Sequence, residues 1–184
     1  MCGFFGIIKN NKSIDQNLFE TASKLINHRG PDSSDFYNDE NINLRFYRLS
    51  IRDLSEYGNQ PMLSRNKKNL ICFNGEIYNV DEIKKKYLAN FKLKTSSDTE
   101  VLLEAFSKYG SKIIKELEGM FSIFIYEIEK KNYFFARDRF GIKQLYYTII
   151  NEQLIFSSEI KPIIKYIRKT SLNELALLDF LIRG

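Results

Sequence analysis

Met120-Phe121-Ser122-Ile123-Phe124-Ile125-Tyr126-Glu127-Ile128 sets the architecture of this chain. Phe121, Ile123 and Ile125 alternate with Phe124 and Ile128, so as a strand the segment is apolar on both faces. A sheet of such strands needs a covering layer on each side. Downstream, residues 133–137, 145–150 and 153–156 read as further strands, parted by short polar turns at 129–132 and 151–152, which predicts antiparallel hairpins. Upstream, residues 3–9, 35–37, 44–50 and 70–73 have strand character, and Asn74-Gly75 after the last of these is a turn signal.

Helical spacing marks the covering layers. Residues 15–26 carry Leu18, Phe19, Ala22, Leu25 and Ile26 on one face. Residues 98–109 carry Val101, Leu102, Ala105, Phe106 and Tyr109, with Ser97 and Glu100 spaced as a capping box and Gly110 as a stop. Shorter helices are expected at 80–87, 111–117, 159–167 and 172–182. The expectation is an α+β domain of two stacked, mainly antiparallel sheets covered by helices, spanning residues 1–184 without a repeat or an internal boundary.

Bulk composition narrows the function. The 184 residues are 43% hydrophobic and 28% charged, which suits a packed core, and no apolar run approaches a membrane span. Met1-Cys2-Gly3 lacks the basic start of a secretory signal, and the polar residues 9–12 interrupt any apolar core of one. Two cysteines, Cys2 and Cys72, suit a reducing cytoplasm better than a disulfide framework. With one histidine they do not fill a four-ligand zinc site without carboxylates, so no metal is expected. The net charge of +5 raises nucleic acid as a partner. The lysines, however, are dispersed and interleaved with Glu, and the longest basic run, Lys84-Lys85-Lys86, follows Asp81 and Glu82. A solvated helix face explains them better.

Cys2 is the chemically most informative residue. Its side chain is small enough for a methionine aminopeptidase to remove Met1, which would place a thiol and a free α-amine on one residue. A thiol near pKa ~8.5 and an amine near ~7.7–8.0 are matched for proton transfer at neutral pH. The amine can then serve as base for its own side chain, the N-terminal-nucleophile arrangement. With Met1 retained, that amine is a peptide nitrogen.

Five segments accompany Cys2 in order: His28-Arg29-Gly30-Pro31-Asp32, Arg48-Leu49-Ser50-Ile51, Asn74-Gly75-Glu76-Ile77-Tyr78-Asn79, Ser97-Asp98-Thr99-Glu100, and Ala136-Arg137-Asp138-Arg139-Phe140-Gly141-Ile142-Lys143. Together they resemble the class II glutamine amidotransferases, and within these the asparagine synthase (glutamine-hydrolysing) type. Gln60-Pro61-Met62 and Phe156-Ser157-Ser158-Glu159-Ile160-Lys161 also resemble that branch. The resemblance covers essentially the whole chain. It implies a four-layer αββα sandwich, the N-terminal-nucleophile hydrolase fold, and hydrolysis of the side-chain amide of L-glutamine to glutamate and ammonia. It assigns Cys2 as nucleophile, the Asn74 side chain and Gly75 N–H as oxyanion donors, Arg48 to the substrate α-carboxylate and Asp98 to its α-ammonium. Glu76 and the backbone of Leu49, Ser50, Ile51 and Arg52 are expected around the same pocket.

An arginine fork suits a carboxylate, and a carboxylate suits an ammonium, so Arg48 with Asp98 fits a free amino acid better than a peptide. Arg48 shares strand parity with Leu44 and Phe46 and is expected to point inward. His28 is read as structural, because an N-terminal amine leaves no base to supply. Arg29 with Asp32 is read as an ion pair or part of a lid, Arg137-Asp138-Arg139 as packing, and Cys72 as inert core.

The chain departs from the family pattern at Phe46, where the family often has His, and at Gln144, where it often has Pro. The resemblance further implies a partner, a synthetase domain or subunit that receives the ammonia and uses ATP and Mg to activate aspartate. That domain would lie beyond residue 184, and no cofactor is expected within 1–184. Other readings are the same glutaminase serving a sugar acid or β-lactam precursor, a non-catalytic glutamine-binding module with Met1 retained, and a protease or amidase for other substrates. A homodimer is compatible with the sequence, which leaves the oligomeric state open.

Overall fold

A computed structural model describes residues 1–168 and 170–183; Gly184, the last residue of the expected C-terminal run, lies outside them. In chain order the strands are β1 (Gly3–Ile8), β2 (Ser33–Asn38), β3 (Ile42–Arg48), β4 (Met62–Leu63), β5 (Asn69–Ile77), β6 (Gly119–Glu127), β7 (Asn132–Arg137), β8 (Tyr146–Ile150) and β9 (Gln153–Ser157). The helices are α1 (Gln16–Ser23), α2 (Val80–Tyr87), α3 (Asp98–Tyr109), α4 (Ile160–Ile167) and α5 (Glu174–Arg183). Short 3₁₀ turns at Lys24–Arg29, Glu56–Gly58 and Gly110–Glu116 complete them.

Two antiparallel sheets stack face to face. One has the order β2-β3-β1-β9-β8, the other β4-β5-β6-β7. Strand parity then divides the core into three layers. Phe4, Ile8, Leu44, Phe46, Leu70, Cys72, Phe124, Tyr126 and Phe156 fill the space between the sheets. Phe5 and Ile7 point the other way, against Phe19 and Ala22 of α1 and Ile163 of α4. Ile71, Phe73, Phe121, Ile123 and Ile125 point from the second sheet onto Ile83 of α2 and Val101, Leu102 and Ala105 of α3. The order is helices, sheet, sheet, helices, the α+β four-layer sandwich. The two-faced apolar reading of β6 follows directly, since both faces of β1 and of the middle of β6 are buried.

Local signals explain the ends of the elements. The Asp15 side chain accepts from Leu18 N at 2.9 Å and starts α1. Gly110, with φ +71°, ends α3. The capping box forms only in part. Ser97 Oγ accepts from Glu100 N at 3.3 Å, but the buried Glu100 carboxylate accepts from the Lys94 and Thr95 amides instead of the Ser97 amide. The largest correction concerns Asn74-Gly75, which do not form a turn but lie inside β5, paired with Ser122 and Phe121 of β6. A nine-residue partner strand holds them extended, and tertiary pairing overrides the dipeptide signal.

Phe156 is fully buried and its ring meets those of Phe4, Phe124 and Phe135 at centroid distances of 6.2, 4.6 and 4.9 Å. Phe156→Ala should therefore cost about 3–5 kcal/mol. Urea unfolding should show a lower midpoint at an unchanged slope.

Candidate active site

At one end of the sandwich, the starts and ends of β1, β3, β5 and α3 converge on a cleft of about 190 Å³. Its lining includes Cys2, Arg48, Leu49, Ile51, Arg52, Asn74, Gly75, Glu76 and Asp98, so of the residues that the sequence assigned to catalysis or substrate binding only Ser50 lies outside it. The Ser50 amide instead donates to Asp32 Oδ2 at 2.7 Å.

Cys2 precedes β1 and is anchored three ways. Its sulfur lies 3.4 Å from the Leu49 amide nitrogen and 3.6 Å from the Leu49 carbonyl oxygen. Its own carbonyl accepts from Arg29 Nε at 3.0 Å. Arg29 is fixed in turn by Glu159, whose Oε1 lies 3.1 Å from Arg29 Nη1 and 2.9 Å from His28 Nε2. Arg29 and Asp32 therefore serve different partners rather than each other, and half-exposed His28 stays outside the cleft lining. Burial pushes the Cys2 thiol up, while the Leu49 amide, the charged N-terminus, Arg48 and Arg29 pull it down.

Opposite the sulfur stands β5. Asn74 is 1% exposed, and its Nδ2 has no hydrogen-bond partner among the described residues. An unpaired buried donor is costly unless something completes it. A side chain at Gly75 would collide with the Met120 carbonyl and the Phe121 backbone, so only glycine lets β6 close on this point.

Arg48 closes the far end. Its Nη1 donates to Ser55 O and Asn59 Oδ1, both at 2.8 Å, and its Nη2 donates to Asp53 O. Three of five N–H groups are thus spent on the 53–59 loop, which leaves Nε–H and one Nη2–H as a side-on fork. Gly58 packs against the guanidinium so closely that a Cβ would collide with Nη2. Asp98, the first residue of α3, accepts from Ile77 N at 3.0 Å through Oδ2. Burial raises its pKa, against the Ile77 amide and the Arg52 charge. Arg52 and Glu76 pair across the mouth at 3.3 Å.

Sequence reasoning missed several supports. Gln60 brackets Phe73, accepting from its amide at 2.6 Å and donating to its carbonyl at 3.3 Å. Asp53 ties the Arg48 loop to the approach of α3 by accepting from Ser55 N, Ser55 Oγ and Ser96 N. Lys143 also lines the cleft. Gln60 and Lys143 stand within quoted motifs, but nothing in sequence spacing shows that their loops fold back here. Among the described residues no cluster of three or more His, Cys, Asp or Glu is placed to hold a metal ion. No helix among them is long and apolar enough to cross a membrane.

Residues 1–183 match the family model described as a glutamine amidotransferase domain. Over 168 residues the chain is 41% identical to asparagine synthetase [glutamine-hydrolyzing] 1 of Bacillus subtilis, covering 89% of this chain and 26% of that protein. It is 35% identical to asparagine synthetase B [glutamine-hydrolyzing] of Escherichia coli, covering 91% and 31%. The amidase chry2 of Gibberella zeae is 36% identical over 80% of this chain and 22% of its own length. The chain thus spans about a quarter of the length of these curated relatives. Among solved structures, the glutamine phosphoribosylpyrophosphate amidotransferase of B. subtilis superposes with a TM-score of 0.70 at 17% identity, covering 93% of this chain and 44% of that one. It shares the fold.

The Ser55 hydroxyl, with further help from the Ser55 and Ser96 amides, holds the Asp53 carboxyl down to about 2. A depressed carboxyl contributes stability that is complete above its unfolded value of ~3.9 and lost as the pH falls toward the folded value. Asp53→Asn should therefore speed hydrogen exchange at the Ser55 and Ser96 amides about tenfold at neutral pH. The difference from wild type should shrink between about pH 4 and pH 2.

Proposed function

The chain belongs to the glutamine amidotransferase domain family, and from that premise we propose that residues 1–184 form a glutaminase domain releasing ammonia from L-glutamine through a Cys2 thioester. One observation carries the reading: the unpartnered Asn74 amide nitrogen, the Cys2 sulfur, the free fork of Arg48 and the Asp98 carboxylate all border one cleft sized for a small molecule.

The proposed chemistry follows from these groups. Removal of Met1 frees the Cys2 amine. The amine takes the thiol proton as sulfur attacks the γ-amide carbon. The tetrahedral oxyanion is met by Asn74 Nδ2 and the Gly75 N–H, donors fixed by β5 before the reaction begins. The amine returns the proton to the leaving nitrogen, ammonia departs, and water cleaves the thioester to glutamate. Arg48 and Asp98 bind the α-carboxylate and α-ammonium, and the Arg52–Glu76 pair closes the mouth.

The ammonia acceptor is a separate proposal. The names of the relatives support asparagine as the product. The family resemblance adds a synthetase domain or subunit that activates aspartate with ATP and Mg, and the cysteine usage suits a reducing cytoplasm. The match to an amidase supports a second reading, amide hydrolysis on another substrate.

Processed protein, one Met residue lighter by intact mass, should release glutamate from glutamine, and Cys2→Ala should not; equal release by both would refute the proposal. Asn74→Ala should lower kcat by about 10²–10³ with a small change in KM. Arg48→Lys should act on the other parameter, raising KM at least about tenfold as the side-on fork and its charge-assisted hydrogen bonds are lost.

A further inference from the structure

With Met1 in place Lys143 is 6% exposed, yet no acidic group among the described residues forms an ion pair with it. Lysine is rarely so buried without a partner. Among the described residues the acceptor of its ammonium is the thioether sulfur of Met1, at 3.0 Å. A thioether is a weak acceptor. Lys143 is among the residues that line the cleft holding Cys2.

The segment that delivers it is rigid. The Asp138 carboxylate accepts four backbone amides, Phe121 and Lys143 on Oδ2 at 3.1 and 3.0 Å, and Phe140 and Ile142 on Oδ1 at 3.1 and 2.9 Å. Arg137 Nε donates to the Lys143 carbonyl at 2.9 Å. A cation is thus held by backbone contacts at the spot where residue 1 ends.

We propose that Lys143 is a positioning residue for the reaction, its ammonium keeping the freed Cys2 amine neutral and proton-accepting and favouring the Cys2 thiolate. Once Met1 is gone, the ammonium faces the new terminus across the space Met1 filled. A nearby cation disfavours an ammonium and favours a thiolate, so both effects widen the active range toward lower pH. The charged groups around this point include the N-terminus, Arg48 and Arg29 on the Cys2 side and Arg29, Asp138, Glu76 and Cys2 itself on the Lys143 side. Asp138 is saturated by backbone amides, and Glu76 is shared with Arg52. Burial and Arg29 also push the Lys143 ammonium down, as expected of a cation short of acid partners.

The inference rests on the glutaminase reading, and the experiment separates the two. Processed wild type, K143M and K143R are compared for the pH dependence of Cys2 alkylation by iodoacetamide, followed by peptide mass, and of kcat/KM for glutamine. Alkylation needs no turnover. K143M should raise both midpoints by about one pH unit, a roughly tenfold loss of rate below the midpoint, and K143R should keep them near wild type. A K143M midpoint within about 0.2 unit of wild type overturns the inference. So does a K143R midpoint displaced as far as that of K143M, or a change confined to KM. Should K143M lose its thermal transition, K143Q carries the same test. Wild type that alkylates normally but releases no glutamate overturns the glutaminase reading alone.

Discussion

The burial of β1 on both faces is the constraint from which the site follows. Phe4 and Ile8 lock it to the inter-sheet core while Phe5 and Ile7 lock it to α1 and α4. The residue just before it, Cys2, consequently has little freedom, although chain termini are usually loose. Arg29 and Leu49 need only finish the placement. The thiol proposed as nucleophile thereby gains the positional definition normally reserved for the middle of a strand.

Around that fixed point the other elements supply opposed kinds of group. β5 brings a buried donor that the protein leaves without a partner, and β3 brings an arginine that the protein half satisfies. Both are costs to the folded state, and both sit where a ligand would complete them. Loop carbonyls hold the arginine, so its fork is oriented by the chain rather than by whatever enters the cleft.

Much of this was legible in the sequence because strand and helix periodicity is a local property. The two-faced β6, the burial of Val101, Leu102, Ala105 and Phe106 on α3 and the inward parity of Arg48 could all be read from spacing, whereas Tyr109 at the end of the expected stripe is exposed and α3 is buried all round up to Phe106. Asn74-Gly75 could not, since a dipeptide that favours a turn is overruled by a nine-residue ladder whose partner lies more than forty residues away. Gln60, Asp53 and Lys143 were hidden for the same reason, for they act through loops whose return to the cleft depends on long-range contacts. The expected Arg29–Asp32 pair failed because each found a better partner, Glu159 and the Ser50 amide, on distant segments.

The Asp138 knot separates the shape of a loop from the side chain the loop presents. Every bond that Asp138 makes to 140, 142 and 143 ends on a backbone amide, as does the Arg137 bond to the Lys143 carbonyl. The side chain at 143 therefore takes no part in the bonds that shape the loop. On the reading proposed for Lys143, a substitution there would change the charge at one corner of the cleft while those backbone bonds stay in place.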